Sequence, residues 1–516
     1  MKQHSDSGTL ILEKVAGSAA AFLRHYRLPF FASFLLGLLA YGYAFTNKLV
    51  NHDEVSSLFT KGATVTSGRW GLGALDAVFP NYSMPWIYGL ITLLFIALSV
   101  CVLISMLRIR NRLLQVLLAG SIVVFPSLIG LFGYMFTSSS FALAFFLSVL
   151  AAAMIQRFTK WTVLWGLGCL VFSLSIYQSY ISVTAGLLVL VLIQHLLRGE
   201  ECKAILVRGI AFVLCLVLAL GIYYLGTQAV LRLTGNALNG YASENLAFSL
   251  GSVLKGAVLA YSSFFRFFAE GFLGLIPTAF SRMMHWILLG SVLVLFLVHM
   301  VFSFKKQPAQ CLLLLLLLTV LPLAINCMYM ITTVDSIHTL VMYGFVCFYV
   351  LAVVAADHIL DCFDSRWISN ICLNVLTAVM ALIIAANTFV ANQAYLHLHL
   401  RYENAAAFYT SLVADLKLTP GFDEHTKLAL IGDYRQPEYY SQYFEEIHTI
   451  TGIYGFVPDS YSKNFFMEYY IGFPISFASE EEIQQIQSTP EFEAMAVYPY
   501  YGSLQKIGDV LVVKLS

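Results

Sequence analysis

Two neighbouring carboxylates, Asp53 and Glu54, directly follow the first long apolar run of the chain. A carboxylate in a partly desolvated cleft can take the proton of a hydroxyl nucleophile, because the loss of water raises its basicity. A solvated acidic pair at the end of a helix would have the same sequence. The pair therefore predicts a general base only if nearby segments complete a site.

The same loop carries cations and an indole a few residues later, at Lys61 and in the segment SGRWG at 67–71. The guanidinium of Arg69 is a planar fork that can hold two phosphate oxygens, and Trp70 offers a face on which a sugar ring can stack. An interfacial tryptophan beside a single arginine is the alternative interpretation. We expect Arg69 to bind phosphate, with Lys61, Arg266 and Arg282 as further candidates.

Polar residues recur at two other turns, in SIYQSY at 175–180 and around Asp335 and His338. Polar side chains at membrane depth line a cavity or pair with other helices, and the sequence leaves both alternatives open. His397 and His399 are two apart on a predicted helix, so we expect them to be solvated and not metal ligands. The residues expected to line a substrate site are His52, Trp70, Tyr177, Gln178, Tyr180, Asp335 and His338.

The elements that carry these residues are membrane helices. The chain has 516 residues, 59% of them hydrophobic and 11% charged, which excludes a soluble enzyme. Apolar runs long enough to cross a bilayer core of roughly 30 Å recur along it. Eleven spans are predicted, at 29–47, 85–107, 113–133, 140–155, 161–177, 180–197, 206–229, 284–304, 309–328, 338–356 and 370–391.

The basic residues predict the orientation of these spans. With a cytoplasmic N-terminus, the inner connections hold 15 Lys and Arg residues and the outer connections hold seven. The positive-inside rule favours this topology, which places the C-terminal region outside. The inner connections are too short for a nucleotide-binding domain and no GxxxxGK[ST] motif occurs, so the chemistry is expected on the outer face.

Three outer regions are large enough to build a site: loop 48–84, loop 230–283 and a C-terminal domain at 392–516. The stretch 253–273 is rich in phenylalanine and charged residues, which predicts a helix in the interface or a re-entrant segment, with a twelfth or thirteenth span in this region as the alternative. The domain at 392–516 carries a net charge of −9, against +9 for the membrane domain at 1–391. Its pattern predicts a small α/β unit with helices at 395–416, 437–450 and 479–487, a strand at 427–431 and a hairpin at 503–515.

The composition excludes several ligand classes. The basic residues lie in short clusters beside apolar runs, so no nucleic-acid surface is expected. All nine cysteines precede residue 392 and no CxxC motif occurs, so neither a zinc site nor a disulfide framework is predicted. No cofactor is expected; a divalent metal could assist a phosphate, but no dedicated ligand cluster is present.

Taken together, the acidic pair, the SGRWG segment, the YQSY turn and the closing VYPYYGSLQKIGDVLVVKL hairpin resemble the serotype-converting O-antigen glucosyltransferases of the Gtr type. That family is similar to the wider GT-C class of polytopic glycosyltransferases. The resemblance implies a bacterial inner-membrane enzyme with a polyprenyl-phosphate-linked hexose, most simply glucose, as donor and a surface glycan as acceptor. Its partners would be membrane lipids, a donor-synthesising enzyme and a flippase upstream.

An outer site has no access to sugar nucleotides, so an activated sugar must arrive on a lipid. The expected reaction is an inverting displacement in which Asp53 takes the acceptor proton, with Glu54 as the other catalytic carboxylate. Arg69 and a second cation would neutralise the departing phosphate. Two alternatives remain, a transporter or flippase for a lipid-linked glycan and a glycan polymerase or ligase. Against a transporter, we see no inverted repeat and few charges within the spans.

Overall fold

The computed structural model describes residues 11–58, 64–80, 82–239, 250–332, 337–362, 367–423, 425–434, 450–453, 458 and 462–516. Lys61, Asp335 and most of the helix predicted at 437–450 lie outside these residues. The helices up to the C-terminal domain are α1 Ile11–His25, α2 Arg27–Thr46, α3 His52–Ser57, α4 Trp70–Leu75, α5 Pro85–Leu107, α6 Arg112–Val123, α7 Pro126–Gly133, α8 Met135–Ile155, α9 Lys160–Ile176, α10 Ile181–Leu197, α11 Cys202–Thr234, α12 Leu250–Glu270, α13 Ala279–Ser303, α14 Pro308–Ile325, α15 Val346–Cys362 and α16 Trp367–Leu418. Short 3₁₀ turns lie at Gln178–Tyr180, Phe272–Gly274, Cys327–Met330 and Val341–Phe345.

The protein is a helical polytopic membrane protein. Among the described residues, nine helices are long and apolar enough to cross a membrane, and the pair α6–α7 would make a tenth. The shorter apolar helix α9 coincides with the remaining predicted span. α12 is not among these nine helices, in agreement with the interfacial or re-entrant helix that the sequence predicts there.

One predicted span is not continuous. The span predicted at 113–133 breaks between α6 and α7, and the two parts are bent by 42°. Pro126 begins α7, where its missing N–H is harmless, whereas inside a continuous helix its ring would clash with the preceding turn. Phe125 before it has the extended ψ of 136° that a residue preceding proline adopts. The bend therefore follows from the sequence F-P at 125–126.

The connections between the spans gather at two ends of the bundle. At one end, Gln194 donates a hydrogen bond to the carbonyl of Leu107, and Asp357 accepts the N–H of Arg110 at 3.3 Å. We refer to it as the basic end, because the connections there are rich in Lys and Arg. The opposite end carries α3, α4, the turn 178–180, the turn 341–345 and the C-terminal domain. We call it the site end.

The C-terminal domain is built on a three-stranded sheet with the order β1-β3-β2. β1 (Lys427–Ile431) pairs parallel with β3 (Val510–Lys514), which pairs antiparallel with β2 (Leu504–Ile507). The predicted strand and hairpin are present. The described helices of the domain include α17 Glu480–Gln487, which confirms the helix predicted at 479–487 and is capped by the Ser479 side chain, and α18 Pro490–Ala494.

The domain is joined to the bundle by a continuous helix and by a closely packed segment. α16 is 52 residues long and runs without a break through the predicted boundary at 391–392. The segment 450–453 lies against α7 so closely that a Cβ on Gly130 would be 2.6 Å from the carbonyl oxygen of Thr451. The Thr451 N–H also donates to the hydroxyl of Thr339 at 3.2 Å. These contacts hold the domain over the site end.

Candidate active site at the site end

The acidic pair is positioned by a helix cap. The side-chain carbonyl of Asn51 accepts a hydrogen bond from the N–H of Glu54 at 3.0 Å, which starts the short helix α3. Its amide group donates to the carbonyl of Gly133 at the end of α7. Because consecutive helical residues point about 100° apart, Asp53 and Glu54 face different surroundings.

Glu54 is fully buried. Its side chain is 0% exposed, and neither carboxylate oxygen has a hydrogen-bond partner among the described residues. The Ser83 hydroxyl lies nearby without hydrogen-bond geometry, and the Lys48 ammonium is 4.0 Å away. Burial raises the pKa of Glu54 to about 7, and these two groups offset only part of that effect. Glu54 is thus partly protonated near neutral pH.

The C-terminal domain covers Glu54. The turn Phe466–Tyr470 packs against α3, and the Lys48 ammonium lies 5.0 Å from the centre of the Tyr470 ring. Burial and the charge of Glu54 together raise the pKa of the Tyr470 phenol. The Tyr470 hydroxyl is buried and has no partner among the described residues. Tyr470 and Glu54 therefore lie within electrostatic reach of each other where the domain packs against the bundle.

Asp53 lies on the accessible side of α3. Its side chain is 47% exposed, and its carboxylate is 3.7 Å from the Nε2 atom of His52. Burial, and to a lesser extent the charge of Asp53, raises the pKa of the Tyr134 phenol, while the charge of Arg69 opposes this rise. Tyr134 is thus within electrostatic reach of both Asp53 and Arg69, the two residues to which the sequence assigns base and phosphate binding.

The loop that carries Arg69 is bound to α11 and to the turn after α9. The Tyr223 hydroxyl donates to the carbonyl of Gly68 at 3.0 Å, and the Gln178 amide donates to that hydroxyl at 2.7 Å. Gly68 has a φ of +73°, a conformation that favours glycine. Trp70 follows at the start of α4, and its indole N–H donates to the Thr227 hydroxyl at 3.3 Å. Gln178 and Trp70 are therefore positioning residues for the loop.

Arg69 is half-buried among aromatic rings. Its guanidinium carbon lies 5.2 Å from the centre of the Tyr177 ring, in cation–π range. Tyr177 itself stacks on Phe141 at 4.5 Å. The Nε atom of Arg69 is buried without a hydrogen-bond partner, and Arg69 makes no ion pair with any described residue. Its charge is therefore open to an anionic ligand.

His338 is adjacent to Arg69. Burial and the Arg69 charge lower the pKa of His338 to about 4, so the imidazole is neutral near pH 7. Its Nδ1 atom is buried without a hydrogen-bond partner among the described residues. A neutral imidazole beside a guanidinium can donate a hydrogen bond to the same anion. The structure thus brings His338, Tyr177 and Arg69 together, as three of the predicted site residues.

The remaining predicted residues have other surroundings. Tyr180 is 2% exposed and packs against both Tyr177 and Tyr343. Arg266 donates from Nε to Glu270 at 2.9 Å and covers the Phe272 ring, so its charge is partly matched. Arg282 lies in the first turn of α13.

The expectation that both C-terminal histidines are solvated was wrong for one of them. His397 is 1% exposed because it lies on the face of α16 that packs into the bundle. His399 is 27% exposed and lies 3.1 Å from Glu403. Among the described residues, no group of three or more His, Cys, Asp or Glu side chains could hold a metal ion.

Sequence reasoning missed Lys48, Ser83, Tyr134 and Tyr470. The first three are single polar residues at the ends of apolar runs, where no spacing distinguishes them from solvated termini. Tyr470 belongs to an aromatic cluster that is typical of a domain core. Its proximity to Glu54 results from the packing of the C-terminal domain against α3, which the local sequence does not reveal.

Comparison with known proteins identifies the family of this chain. The model of the family described as Glucosyl transferase GtrII matches residues 42–349. No curated protein and no solved structure matches the chain. The matched range contains Asp53, Arg69, the turn 178–180 and His338, and it ends before the C-terminal domain. Since it covers more than half of the chain, this membrane protein belongs to the GtrII glucosyl transferase family and is a glycosyltransferase.

Proposed function

We propose that the protein transfers glucose from a polyprenyl-phosphate donor to a surface glycan, on the outer face of a bacterial inner membrane. The observation that carries this proposal is that an accessible carboxylate, Asp53, and a half-buried cation, Arg69, both act on Tyr134 at one end of the bundle, and that Arg69 has no ion-pair partner among the described residues. A lipid-linked donor fits a site at the mouth of membrane helices, because its chain remains in the bilayer while its phosphate reaches Arg69.

In the proposed mechanism, the acceptor hydroxyl loses its proton to Asp53 as its oxygen attacks the anomeric carbon. The bond between that carbon and the phosphate oxygen breaks, and the electron pair leaves with the lipid phosphate. The departing phosphate gains negative charge, which Arg69 stabilises and the neutral His338 can share by a hydrogen bond. Attack opposite the leaving group inverts the anomeric centre.

Glu54 has a separate role in this proposal. Its carboxylate is closed off from solvent, so it cannot reach an acceptor hydroxyl without rearrangement, whereas Asp53 is accessible. A partly protonated Glu54 instead fixes α3 and the Tyr470 contact beside Asp53. It is a positioning residue for the base.

The test uses the purified full chain in nanodiscs with polyprenyl-phosphate-glucose and the delipidated surface polysaccharide of the source cells. We expect a glucosylated polysaccharide, free polyprenyl phosphate and inversion at the new linkage, measured by mass spectrometry and NMR. UDP-glucose in place of the lipid donor should give no product. The Asp53→Asn variant is the matched control for non-enzymatic transfer.

The same assay separates the two alternatives. A polymerase or ligase would consume a lipid that carries an oligosaccharide and leave the monosaccharide donor untouched. A flippase would move the lipid across the bilayer and leave its headgroup intact. Either result would contradict the proposed hexosyl transfer.

A further inference from the structure

A cavity lies in the C-terminal domain, and neither Asp53 nor Arg69 lines it. It has a volume of about 580 Å³, within the range of small-molecule sites. Its walls come from the outer part of α16, the residue after Gly432-Asp433, the segment before the hairpin and the end of the chain. The lining residues are Asn404, Ala407, Phe408, Ser411, Tyr434, Val497, Tyr498, Pro499 and Leu515.

Three aromatic rings meet in this cavity. The Phe408 ring centre lies 4.2 Å from that of Tyr434 and 5.4 Å from that of Tyr498. The Tyr498 hydroxyl donates to Asp415 at 2.7 Å, which fixes its ring. The Ser411 hydroxyl adds a hydrogen-bonding group beside these rings. Ring faces next to hydroxyl groups are what a sugar needs, since its C–H face stacks and its hydroxyls pair.

The aromatic surface continues beyond the cavity. Tyr500 is 72% exposed and Tyr501 is 104% exposed, directly after Pro499. Exposed aromatic groups beside a cavity are typical of a binding surface. Because they directly follow the wall residue Pro499, they suit a ligand longer than the cavity, such as a polymer.

The charge of the domain and the distance of the cavity from the membrane indicate which class of ligand the cavity could bind. Residues 392–516 carry a net charge of −9, and none of the described residues that line the cavity is charged. Anionic lipid headgroups and polyphosphates would be repelled there. Asn404 lies 13 residues past the predicted end of the last span, roughly 20 Å along α16 at 1.5 Å per residue. A neutral glycan fits that position better than a membrane lipid.

A short aromatic path links the cavity to the covered carboxylate. The Tyr470 ring stacks on Phe466 at 5.5 Å, Phe466 contacts Tyr409 at 5.6 Å, and Tyr409 contacts Phe408 at 5.2 Å. Three ring contacts thus separate the residue beside Glu54 from the cavity wall. A glycan of a few sugar units could occupy the cavity while another of its units lies at Asp53.

We propose that this cavity is a binding subsite for the acceptor glycan, remote from the reacting hydroxyl. The inference rests on the proposed function for the identity of the glycan. It assigns acceptor length preference to Phe408, Tyr434 and Tyr498, which lie in a domain beyond the range that the family model matches.

The first experiment measures binding without donor, so it does not depend on transferase activity. The probe is the delipidated surface polysaccharide of the source cells, cut to one and to four repeat units, and titrated onto the full chain. Wild-type protein should bind four units more tightly than one. Tyr434→Ala should weaken four-unit binding by about tenfold, the effect expected of an anchoring aromatic group, and Tyr434→Phe should restore most of it.

A filling variant guards against a folding defect in Tyr434→Ala. Ala407→Phe should fill the mouth of the cavity from an exposed helix position, and Ala414→Phe, also exposed and two turns further along α16, is its matched control. We expect Ala407→Phe to raise the acceptor KM for four units, with the kcat and the donor KM unchanged. Ala414→Phe should behave as wild type.

The outcomes are distinct. Unchanged four-unit binding in both Tyr434→Ala and Ala407→Phe, with wild-type melting temperatures, would overturn the subsite. Loss of binding in both variants without any glucose transfer by the wild-type protein would keep the subsite and overturn the proposed function.

Discussion

The two ends of the helix bundle differ in whether their charged and polar groups have partners within the chain. At the basic end, Glu200 accepts from Arg208 at 2.7 Å and also contacts His195. Asp357 there accepts the N–H groups of Arg110 and Asn111, both at 3.3 Å. These charged groups are matched by partners within the chain.

At the site end, buried polar atoms lack such partners. The Glu54 carboxylate, the Nε of Arg69, the Nδ1 of His338 and the Tyr470 hydroxyl make no hydrogen bond with any described residue. Each unsatisfied buried group costs roughly 1–3 kcal/mol. Native proteins retain few of these groups, and we expect a bound ligand to satisfy those near Asp53 and Arg69. The charged groups of the basic end thus have partners within the chain, whereas several polar groups of the site end have none among the described residues.

The largest expected effect is at the accessible carboxylate. Asp53→Asn should lower kcat by about 10²–10⁴, because the amide keeps the shape but cannot take the acceptor proton. Turnover of polyprenyl-phosphate-glucose in nanodiscs measures it. Asp509→Asn, in the exposed hairpin turn, is the control and should be silent. Near-normal turnover of Asp53→Asn would transfer the role to Glu54.

Arg69 is the next position in order of effect. Arg69→Ala should lower kcat by about 10²–10³, the loss expected when a charge-stabilising donor is removed. Arg69→Lys should keep part of the activity, since it retains the charge but loses the two-pronged geometry. Donor affinity and turnover are measured separately. If both stay unchanged in Arg69→Ala, the residue merely anchors the loop at the membrane surface.

Much of the fold follows from local sequence, and much less of the site does. The spans, the hairpin at 503–515 and the α17 cap are predictable because each depends on neighbouring residues. The sequence also points to Asp53 and Arg69. The Glu54–Tyr470 contact joins positions more than 400 residues apart, and it depends on how the C-terminal domain docks on the bundle, through α16 and the segment 450–453. A contact between positions so far apart in sequence cannot be predicted from short sequence patterns.

Glu54→Gln should affect stability more visibly than activity. Burial raises the pKa of Glu54 from 4.5 to about 7. Between these two pH values the unfolded chain releases the proton first, so the free energy of unfolding falls as the pH rises. The amide of Glu54→Gln does not ionise, so the variant escapes this pH-dependent destabilisation. Its free energy of unfolding at pH 8 should exceed that of the wild type by a value on the order of 3 kcal/mol.

Melting temperatures at pH 5 and pH 8 test this prediction. The difference between Glu54→Gln and wild type should be small at pH 5 and large at pH 8. Its turnover should fall less than that of Asp53→Asn, because the amide still fills the site between α3 and Tyr470. A variant that is less stable than wild type at pH 8 would mean that the carboxylate is held charged by Lys48.

The smallest effect is expected at the basic end, where neutralising a carboxylate should lower the free energy of unfolding and not raise it. Glu200→Gln weakens the pair with Arg208, and both side chains are about one-third exposed, so solvent already screens much of the attraction. The expected loss is about 0.2–1 kcal/mol, seen as a slightly lower melting temperature with unchanged kcat. Glu201→Gln, at the exposed neighbouring position, should change neither. Neutralising the paired Glu200 should thus destabilise the protein, whereas neutralising the unpartnered Glu54 should stabilise it. A fall in kcat for Glu200→Gln would instead show that the basic end affects catalysis at the site end.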